Sequence, residues 1–462
     1  MTALPTAFIE KYQTLLGPEA QSFLAALQAE PSKAYRINPL KEQSVADTDT
    51  AVPVPWSRFG YYGQIDGHSP AHTTGQVYSQ EPSAQLVAEL AAPKPGSRVL
   101  DLAAAPGGKT THLASFMQGQ GLLVANEINY KRAKILSENV ERFGIRNALV
   151  TNHDAQTLSQ HFPGYFDTIV LDAPCSGEGM FRKDPAAIQY WHPDYPAENA
   201  RRQKEILTDA LKMLKPGGDL IYSTCTFAPE EDEQVIAWAL KTYPDLSIVP
   251  VARPEGVDAG RPEWADGNPA LADTLRLFPH HLAGEGHFMA KLHRSATAEI
   301  DQSQGNVERT NLTVEQRQSW NALAKELLRE PLDGVLYAFG DQLYRLPEGT
   351  PSLKQLHVLR PGLHLGTFKK KRFEPSLALA LALPVAAFRH QYALTDQQWR
   401  DYVHGDVLML PAQAKDPGKG WLLLTINGFG TGFGKRVDRQ IKNFYPKGLR
   451  FLARTTEQDA VK

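Results

Sequence analysis

Cysteine is scarce in this sequence, with two residues among 462. Two cysteines cannot form the disulfide framework of a small secreted scaffold, and they make no CxxC zinc motif. The chain also lacks an apolar run of the ~18 residues that a membrane-spanning helix needs, since LALALALPVAAF is shorter and contains a proline. Its start, MTALPTAFIEKYQTLLG, has no basic segment followed by an apolar one, as a signal peptide would. We therefore expect a reduced, soluble, cytoplasmic protein that has no membrane partner.

A strong net charge is absent too, but the charge is unevenly distributed around its total of −2. Residues 351–462 contain 18 Lys and Arg against 8 Asp and Glu, a balance of +10. The first 350 residues contain 31 against 43, a balance of −12. Such asymmetry indicates that one part of the chain contacts a polyanion, without identifying the polyanion.

Short apolar runs alternate with helical patterns between residues 86 and about 292. This alternation is typical of βαβ units and of a mostly parallel, doubly wound sheet, so we expect an α/β fold with a Rossmann-like core. The predicted strands span 98–102, 122–126, 148–152, 168–171 and 220–223. The predicted helices span 109–116, 131–143, 200–214 and 229–242.

Regions of different character flank this core. Residues 4–29 show helical periodicity that is interrupted at Gly17 and Pro18. After a polar, aperiodic linker, a helix at 313–330 is followed by strand-like runs such as GVLYAF, QLYRL and GWLLLTI. We divide the chain into an N-terminal helical and α+β extension, the core, the linker, a C-terminal α+β domain and a β-rich domain, at 1–85, 86–293, 294–312, 313–380 and 381–462.

The first predicted strand leads into a turn of small residues, VLDLAAAPGGKTTHLA, ahead of a helix. Glycines let the backbone approach a ligand, and the helix N-terminus offers free N–H groups. The turn is not a P-loop, because the leading glycine position is Ala103, and no GxGxxG is present. Asp101, Glu127 and Asp154 follow three successive strands. Glu127 is placed to accept the ribose hydroxyls of a nucleoside cofactor, and Asp154 to accept an adenine amino group.

Both cysteines follow a buried apolar strand, Cys175 in FDTIVLDAPCSG and Cys225 in DLIYSTCTF. Reacting groups in open α/β sheets gather beyond the carboxyl ends of the strands. One such cysteine is most simply an inert buried thiol, but two in matching positions favour chemistry. We expect the strands that end at Asp172 and Ser223 to be neighbours, so that both thiols face one cleft.

These motifs together resemble a known family. DLAAAPGGKT, LDAPCSG and KPGGDLIYSTCT are similar to the Nol/Nop/Sun family of RNA (cytosine-5) methyltransferases. LPTAFIEKY, YSQEPSA, EGHFMAKL and FYPKGLR extend the resemblance to its RsmF-like ribosomal branch. The resemblance implies a methyltransferase core that uses S-adenosylmethionine, an RNA-binding N-terminal extension and a PUA-like RNA-binding domain at 381–462.

Such chemistry explains the thiols, because carbon 5 of cytosine is too weak a nucleophile to take a methyl group directly. A thiolate that adds to carbon 6 makes the ring an enamine, whose carbon 5 attacks the sulfonium methyl, so one hard step is divided into two. The resemblance implies Cys225 as the nucleophile, Cys175 as the helper in product release and Asp172 as the group that holds or protonates the ring nitrogen. Lys109 is a further catalytic candidate, since nearby positive charge favours a thiolate.

The resemblance also implies which residues bind the cofactor. The turn would line the methionine part, with Glu127 at the ribose, Asp154 at the adenine and Arg132 nearby. The full set of candidates is Ala104, Ala105, Pro106, Gly107, Gly108, Lys109, Glu127, Arg132, Asp154 and Asp172. No metal is expected, since methyl transfer from a sulfonium needs none and His280, His281 and His287 lack the spacing of common metal motifs.

Basic residues interleaved with aromatics predict RNA contact near the end of the chain, through phosphates and base stacking. The candidates are Lys369, Lys370, Lys371, Arg372, Lys435, Arg436, Arg439, Lys442, Lys447 and Arg450. Arg36 is a further candidate in the N-terminal extension. A charge run is more often a solvated face, but two runs in a region of balance +10 favour RNA.

We therefore predict a monomeric enzyme that methylates cytosine carbon 5 in RNA, most simply 16S (small-subunit) ribosomal RNA, free or in the 30S subunit. Transfer RNA is the alternative substrate. A different class of protein, a non-catalytic RNA-binding ribosome assembly factor, would be marked by the loss of Cys225, which is present.

Overall fold

Three helices and a small three-stranded sheet form the N-terminal region of the computed structural model, which describes residues 3–41, 52–298, 307–370, 372–410 and 419–453. The elements are α1 (Thr6–Leu16), α2 (Ala20–Ala26), β1 (Ala34–Ile37), β2 (Gly60–Tyr62), α3 (Pro70–Thr73) and β3 (Val77–Ser79). The predicted helical interruption is confirmed, because Gly17 has a φ of +54°. Phe23 of α2 packs edge-to-face on Phe227, with ring centroids 4.9 Å apart, so these helices are anchored on the core.

The core alternates helices and strands as predicted. Its elements are α4 (Pro82–Ala91), β4 (Arg98–Asp101), α5 (Gly108–Met117), β5 (Leu122–Asn126), α6 (Tyr130–Arg142), β6 (Ala148–Thr151), α7 (Ala155–His161), β7 (Phe166–Asp172), α8 (Tyr195–Met213), β8 (Leu214–Thr224), α9 (Glu233–Thr242), β9 (Leu246–Ile248), β10 (Val257–Ala259), β11 (Leu275–Leu277) and β12 (His287–Arg294). All five predicted core strands are present, and β5 is buried along its whole length because apolar clusters cover both faces of the sheet.

Two smaller sheets lie in the C-terminal part of the chain. Their elements, with one strand that belongs elsewhere, are α10 (Val314–Leu327), β13 (Leu336–Phe339), β14 (Gln342–Arg345), β15 (Val358–Pro361), β16 (Leu363–Lys369), β17 (Arg372–Pro375), α11 (Leu377–Ala382), β18 (Gln391–Ala393), α12 (Asp396–His404), β19 (Leu408–Met409), β20 (Gly420–Ile426), β21 (Phe429–Val437) and β22 (Gln440–Asn443). Strands β13, β14, β16 and β17 form one sheet, and β18 to β22 form the other. The predicted helix at 313–330 and the three predicted strand-like runs are confirmed.

The central sheet runs in the order β10-β11-β12-β8-β7-β4-β5-β6-β15, with β9 paired to β12. The five strands from β8 to β6 are parallel. From β4 the chain proceeds to β5 and β6 on one side, and it then returns to β7 on the other side of β4. In open α/β sheets such a switch point opens a ligand-binding crevice at the carboxyl ends of the strands. The predicted adjacency of β7 and β8 is confirmed, with Asp172 opposite Ser223.

The strand β15 is an unexpected member of the central sheet, since it comes from the C-terminal part of the chain. It pairs antiparallel with β6 and covers that edge. Just before it, the amide of His357 donates to Nε2 of His153 at 2.8 Å, and its carbonyl accepts from the amide of Asn152 at 3.0 Å. The C-terminal part therefore contacts the loop that carries Asp154. No helix among the described residues is long and apolar enough to cross a bilayer.

Candidate active site

The two cysteines meet at the carboxyl ends of β7 and β8. The register that pairs Asp172 with Ser223 carries the following loops in the same direction. As a result, the Sγ atoms of Cys175 and Cys225 lie 3.4 Å apart, within the reach of a sulfur hydrogen bond. Both side chains are half-buried, so the pair is sheltered without being sealed from a ligand.

The thiol of Cys175 is held in its protonated form. Its pKa lies well above the ordinary range, mainly because of its hydrogen bond with Cys225 and also because of burial. A thiol that is neutral at physiological pH can donate a proton but is a poor nucleophile. Cys175 is therefore better suited to proton transfer than to nucleophilic attack.

Lys109 and Asp172 form an ion pair beside the thiols. The ammonium Nζ lies 2.6 Å from Oδ2 of Asp172, whose Oδ1 accepts from Oγ of Ser223 at 2.9 Å. Burial opposes the charge on Lys109, but the Asp172 carboxylate outweighs it and raises the pKa of Lys109. Burial likewise opposes the charge on Asp172, and Lys109 together with His287 lowers the pKa of that carboxyl. Both groups are accordingly ionised at neutral pH.

Glu231 is a buried acid next to the loop that carries Pro174 and Cys175, and the sequence motifs did not identify it. Glu231 accepts from the amide of Ser176 at 2.9 Å and from Nε2 of Gln203 at 2.7 Å, which fixes the residue that follows Cys175. Burial raises the pKa of Glu231 to about 8. In the sequence, Glu231 is marked only by its position seven residues after β8, within APEEDE. The segment contains three other acids, so nothing distinguishes Glu231 from them.

A cleft of about 950 Å³ extends from the cysteines along the ends of β4, β5 and β6. This volume suits a nucleoside-sized ligand together with part of a substrate. The predicted residues on its wall are Ala105, Glu127, Arg132, Asp154, Asp172, Cys175 and Cys225. Glu127 is buried, with Oε1 held by the amide of Asn129 at 2.8 Å. The carboxylate of Asp154 accepts from the amide of Thr157, which caps α7 and lowers the pKa of Asp154.

The small-residue turn contributes less surface to this cleft than predicted. Ala104, Pro106, Gly107 and Gly108 lie outside its lining, whereas Leu102 and Ala103 join Ala105 on the wall. Gly107 has a φ of +116°, which glycine adopts without strain, and the turn directs Lys109 to Asp172. Asp101 lies beneath the turn, and its buried Oδ1 has no hydrogen-bond partner among the described residues.

The prediction of an RNA contact for Arg36 is wrong. Its side chain is fully buried, and Nη2 donates to the carbonyl of Gly108 and to Oγ1 of Thr111, both at 2.8 Å. Burial lowers the pKa of Arg36 to about 9. Arg36 therefore braces the turn from the N-terminal sheet, since Nη2 binds Gly108 and Thr111, while the buried Nη1 has no hydrogen-bond partner among the described residues.

The other basic candidates lie at the surface of the C-terminal sheets. The exposed ones are Lys369, Lys370, Arg372, Arg439, Lys442, Lys447 and Arg450, and the half-buried ones are Lys435 and Arg436. Lys371 lies outside the described residues. Lys435 and Lys442 are paired across β21 and β22, and Lys435 also lies over the ring of Trp421. The described residues of the first basic run, Lys369, Lys370 and Arg372, lie where β16 ends and β17 begins.

Four family models match successive segments of the chain. They are the N-terminal domain of 16S rRNA methyltransferase RsmF at residues 4–82, 16S rRNA methyltransferase RsmB/F at 88–293, the RsmF rRNA methyltransferase first C-terminal domain at 322–383 and the methyltransferase RsmF PUA domain at 389–451.

Individual proteins match over most of the chain as well. Ribosomal RNA small subunit methyltransferase F from Vibrio parahaemolyticus is 32% identical over 96% of this chain and 97% of its own length. The protein of the same name from Escherichia coli O81 is 34% identical over 96% of each. Among solved structures, a methyltransferase homolog from Pyrococcus horikoshii is 30% identical, with a TM-score of 0.55 over 63% of this chain and 96% of that one.

The pKa of Glu231 predicts a pH-dependent stability. Because that pKa is raised when the chain folds, the protonated carboxyl stabilises the fold at low pH, and this stabilisation is lost as pH rises to about 8. Glu231→Gln should remove this part of the pH dependence, which has a limiting slope of about 1.4 kcal/mol per pH unit. Urea denaturation between about pH 5.5 and about pH 8.5 measures it. The exposed Glu138→Gln is the control, and equal slopes in wild type and Glu231→Gln would contradict the assignment.

Proposed function

The chain belongs to the ribosomal RNA small subunit methyltransferase F family, whose members use S-adenosylmethionine, and on this premise we propose that it methylates carbon 5 of a cytosine through a covalent intermediate on Cys225. The observation that carries the proposal is the 3.4 Å contact between the Sγ atoms of Cys175 and Cys225 beside the Lys109–Asp172 ion pair. A single nucleophile would need one thiol. A second, neutral thiol fits a reaction in which an adduct must also be released.

The residues of the cleft fit the cofactor. The cleft has the volume for a nucleoside, the buried carboxylate of Glu127 faces it as an acceptor for ribose hydroxyls, and Asp101 has an unpartnered buried oxygen beneath the turn. We propose Ala105, Glu127, Arg132 and Asp154 as residues that hold S-adenosylmethionine, with the remaining turn residues as the supporting backbone. When bound, the cofactor supplies an electrophilic methyl group.

Covalent addition assigns different tasks to the two cysteines. The sulfur of Cys225 forms a bond to carbon 6 of the cytosine, which makes carbon 5 nucleophilic enough to be methylated. The proton on carbon 5 must then leave so that the sulfur–carbon 6 bond can break. Cys175, 3.4 Å from Cys225, is positioned to assist that release: its proton passes to the departing sulfur of Cys225, and its own sulfur then accepts the proton of carbon 5, so that the thiol is restored.

The Lys109–Asp172 pair supplies the electrostatics. The ammonium of Lys109 favours the anionic form of Cys225, since the two charges attract across the cleft. Asp172 is held as a carboxylate by Lys109 and Ser223, so we propose that it first accepts a hydrogen bond from the exocyclic amine or the protonated ring nitrogen of cytosine. This role is consistent with the position of Asp172, which ends β7 and lines the same cleft as Cys225.

The substrate side of the proposal concerns the C-terminal region. Small-subunit ribosomal RNA is the substrate class of the family, and we propose that the basic surface of β16 to β22 binds it, free or in the 30S subunit. We also propose that the protein acts as a cytoplasmic monomer and that its reaction uses no metal. Its domains are then 1–85, 86–293, 313–380 and 381–462, with 294–312 as a linker.

Removal of the nucleophile tests the reaction. With methyl-labelled cofactor and unmodified small-subunit RNA, the wild type should place label in 5-methylcytidine after digestion to nucleosides. Cys225→Ala should lower the rate by at least about 10³-fold and leave cofactor affinity nearly unchanged. Transfer RNA, assembled subunits and naked RNA run in parallel identify the substrate. Normal turnover in Cys225→Ala, or label in another nucleoside, would refute the proposal.

Removal of the second thiol tests product release. Cys175→Ala should still add to carbon 6 but fail to release, so a protein–RNA adduct should accumulate on a denaturing gel in the presence of cofactor. The double variant that also lacks Cys225 is the matched control and should form none. Free enzyme alone in the Cys175→Ala lane would show that Cys175 has no part in release.

Charge reversal tests the basic run. Replacing Lys369, Lys370 and Arg372 with Glu should weaken RNA binding and flatten the plot of log affinity against log salt by about 2 to 3, since each phosphate contact contributes ~0.7 to 0.9 to the slope. The controls are Lys94→Glu and Lys241→Glu, exposed on other faces. An unchanged slope measured by fluorescence anisotropy would mean that the run is solvated surface.

A further inference from the structure

A cluster of one acid and two histidines lies outside the active site, between the N-terminal helices and the core. Glu19 follows α1, and His280 and His281 lie in the hairpin that joins β11 to β12. Nε2 of His280 is 3.6 Å from Oε2 of Glu19, and Nε2 of His281 is 3.8 Å from the same oxygen. All three potential ligand atoms lie within 4.8 Å of one another.

The spacing of these ligand atoms is close to that of a tetrahedral metal site. Zinc binds imidazole nitrogen and carboxylate oxygen at about 2.0 to 2.2 Å, which places neighbouring ligands of a tetrahedron about 3.3 to 3.6 Å apart. The two distances from Glu19, 3.6 and 3.8 Å, are near that separation already. Two histidines with one carboxylate are a ligand set that zinc accepts with one open position.

A fourth residue fixes the orientation of one ligand. Nδ1 of His281 lies 2.7 Å from Oδ2 of Asp258 on β10. In the tautomer whose Nδ1–H donates to this carboxylate, Nε2 keeps its lone pair on the side of Glu19. Ligating histidines usually carry such a carboxylate partner on the other ring nitrogen.

The other ligands are buried without hydrogen-bond partners. The side chain of His280 is 4% exposed, and neither ring nitrogen has a hydrogen bond within the described part of the chain. Oε2 of Glu19 is likewise buried and lacks one, although the residue as a whole is accessible. A buried polar atom left unpaired costs about 1 to 3 kcal/mol, and Oε2 of Glu19 and Nε2 of His280 are two such atoms, 3.6 Å apart, so together they call for an occupant.

One cation already lies at the edge of the cluster. Nη2 of Arg261 is 3.5 Å from Oε2 of Glu19, while its guanidinium stacks on Trp264 at 4.7 Å. Arg261 accounts for part of the charge of Glu19 but offers nothing to two imidazole lone pairs.

We propose that Glu19, His280 and His281 form a structural site for a divalent transition-metal ion, with Zn²⁺ as the best fit. The site would tie the turn after α1 to the β11–β12 hairpin. The far end of that hairpin carries Glu285, which accepts from Arg182, and His287, which neighbours the catalytic ion pair. The metal takes no part in methyl transfer, and the site does not depend on the proposed function. The site revises the expectation that the protein binds no metal. That expectation rested on the spacing of the histidines along the chain, whereas Glu19 lies 261 residues before His280.

Zinc titration of the full-length protein, stripped with a chelator, tests the site. Isothermal titration calorimetry with ZnCl₂ should give one equivalent at micromolar affinity or tighter, and zinc should raise the thermal unfolding midpoint. Glu19→Gln should weaken binding at least tenfold and abolish the midpoint shift, while keeping the wild-type circular dichroism spectrum. Asp258→Asn should weaken binding by roughly 10- to 100-fold. Glu10→Gln, on the exposed face of α1, is the matched control and should bind as the wild type does.

The catalytic cysteines are the competing zinc ligands, and cobalt distinguishes the two sites. Co²⁺ at the proposed site should give d–d bands without a thiolate-to-metal charge-transfer band. A thiolate band, affinity unchanged in Glu19→Gln and Asp258→Asn, or no saturable binding would each overturn the proposal.

Discussion

The register between β7 and β8 determines the geometry on which the active site depends. Parallel pairing places Asp172 opposite Ser223, and the cysteines follow three and two residues later. The two loops are then tied together, since Oγ of Ser176 lies 2.8 Å from Oγ1 of Thr226. A slip of one residue would turn every side chain of β8 to the opposite face and separate the thiols. The relative position of the two thiols is therefore determined first by the backbone pairing of β7 and β8.

Buried acids hold those loops in place, and the N-terminal helices take part. Glu178 accepts from the Tyr12 hydroxyl of α1, from Nε1 of Trp191 at 3.0 Å and from Oγ1 of Thr226 at 2.9 Å. Asp232 and Glu233 share the buried guanidinium of Arg276. Buried charges of this kind stabilise only when they are fully paired, but they permit a single arrangement. Rigid loops next to the thiols are what a reaction with closely spaced donors requires.

The sequence predicts the elements of this protein better than their partners. Apolar runs bounded by turn residues identified the parallel strands, because burial on both faces leaves a continuous signal. The edge strand β15 gave no comparable signal, since its partner lies about 200 residues away. Arg36 looked like an RNA ligand because its buried acceptors, Gly108 and Thr111, come from a distant turn. Glu231 was missed for the same reason, as only the fold shows which of several acids is enclosed.

The covering of β6 by β15 has a consequence for the autonomy of the catalytic core. An uncovered edge strand presents unpaired N–H and C=O groups to any other chain, and proteins usually shield such edges. Here the shield belongs to the region with the basic surface, and Arg360 on it is paired with Glu141 of α6. The sheet of the segment matched to the methyltransferase model is thus completed by a strand from outside that segment. Any displacement of the basic C-terminal region would expose the edge of the sheet that carries the active site.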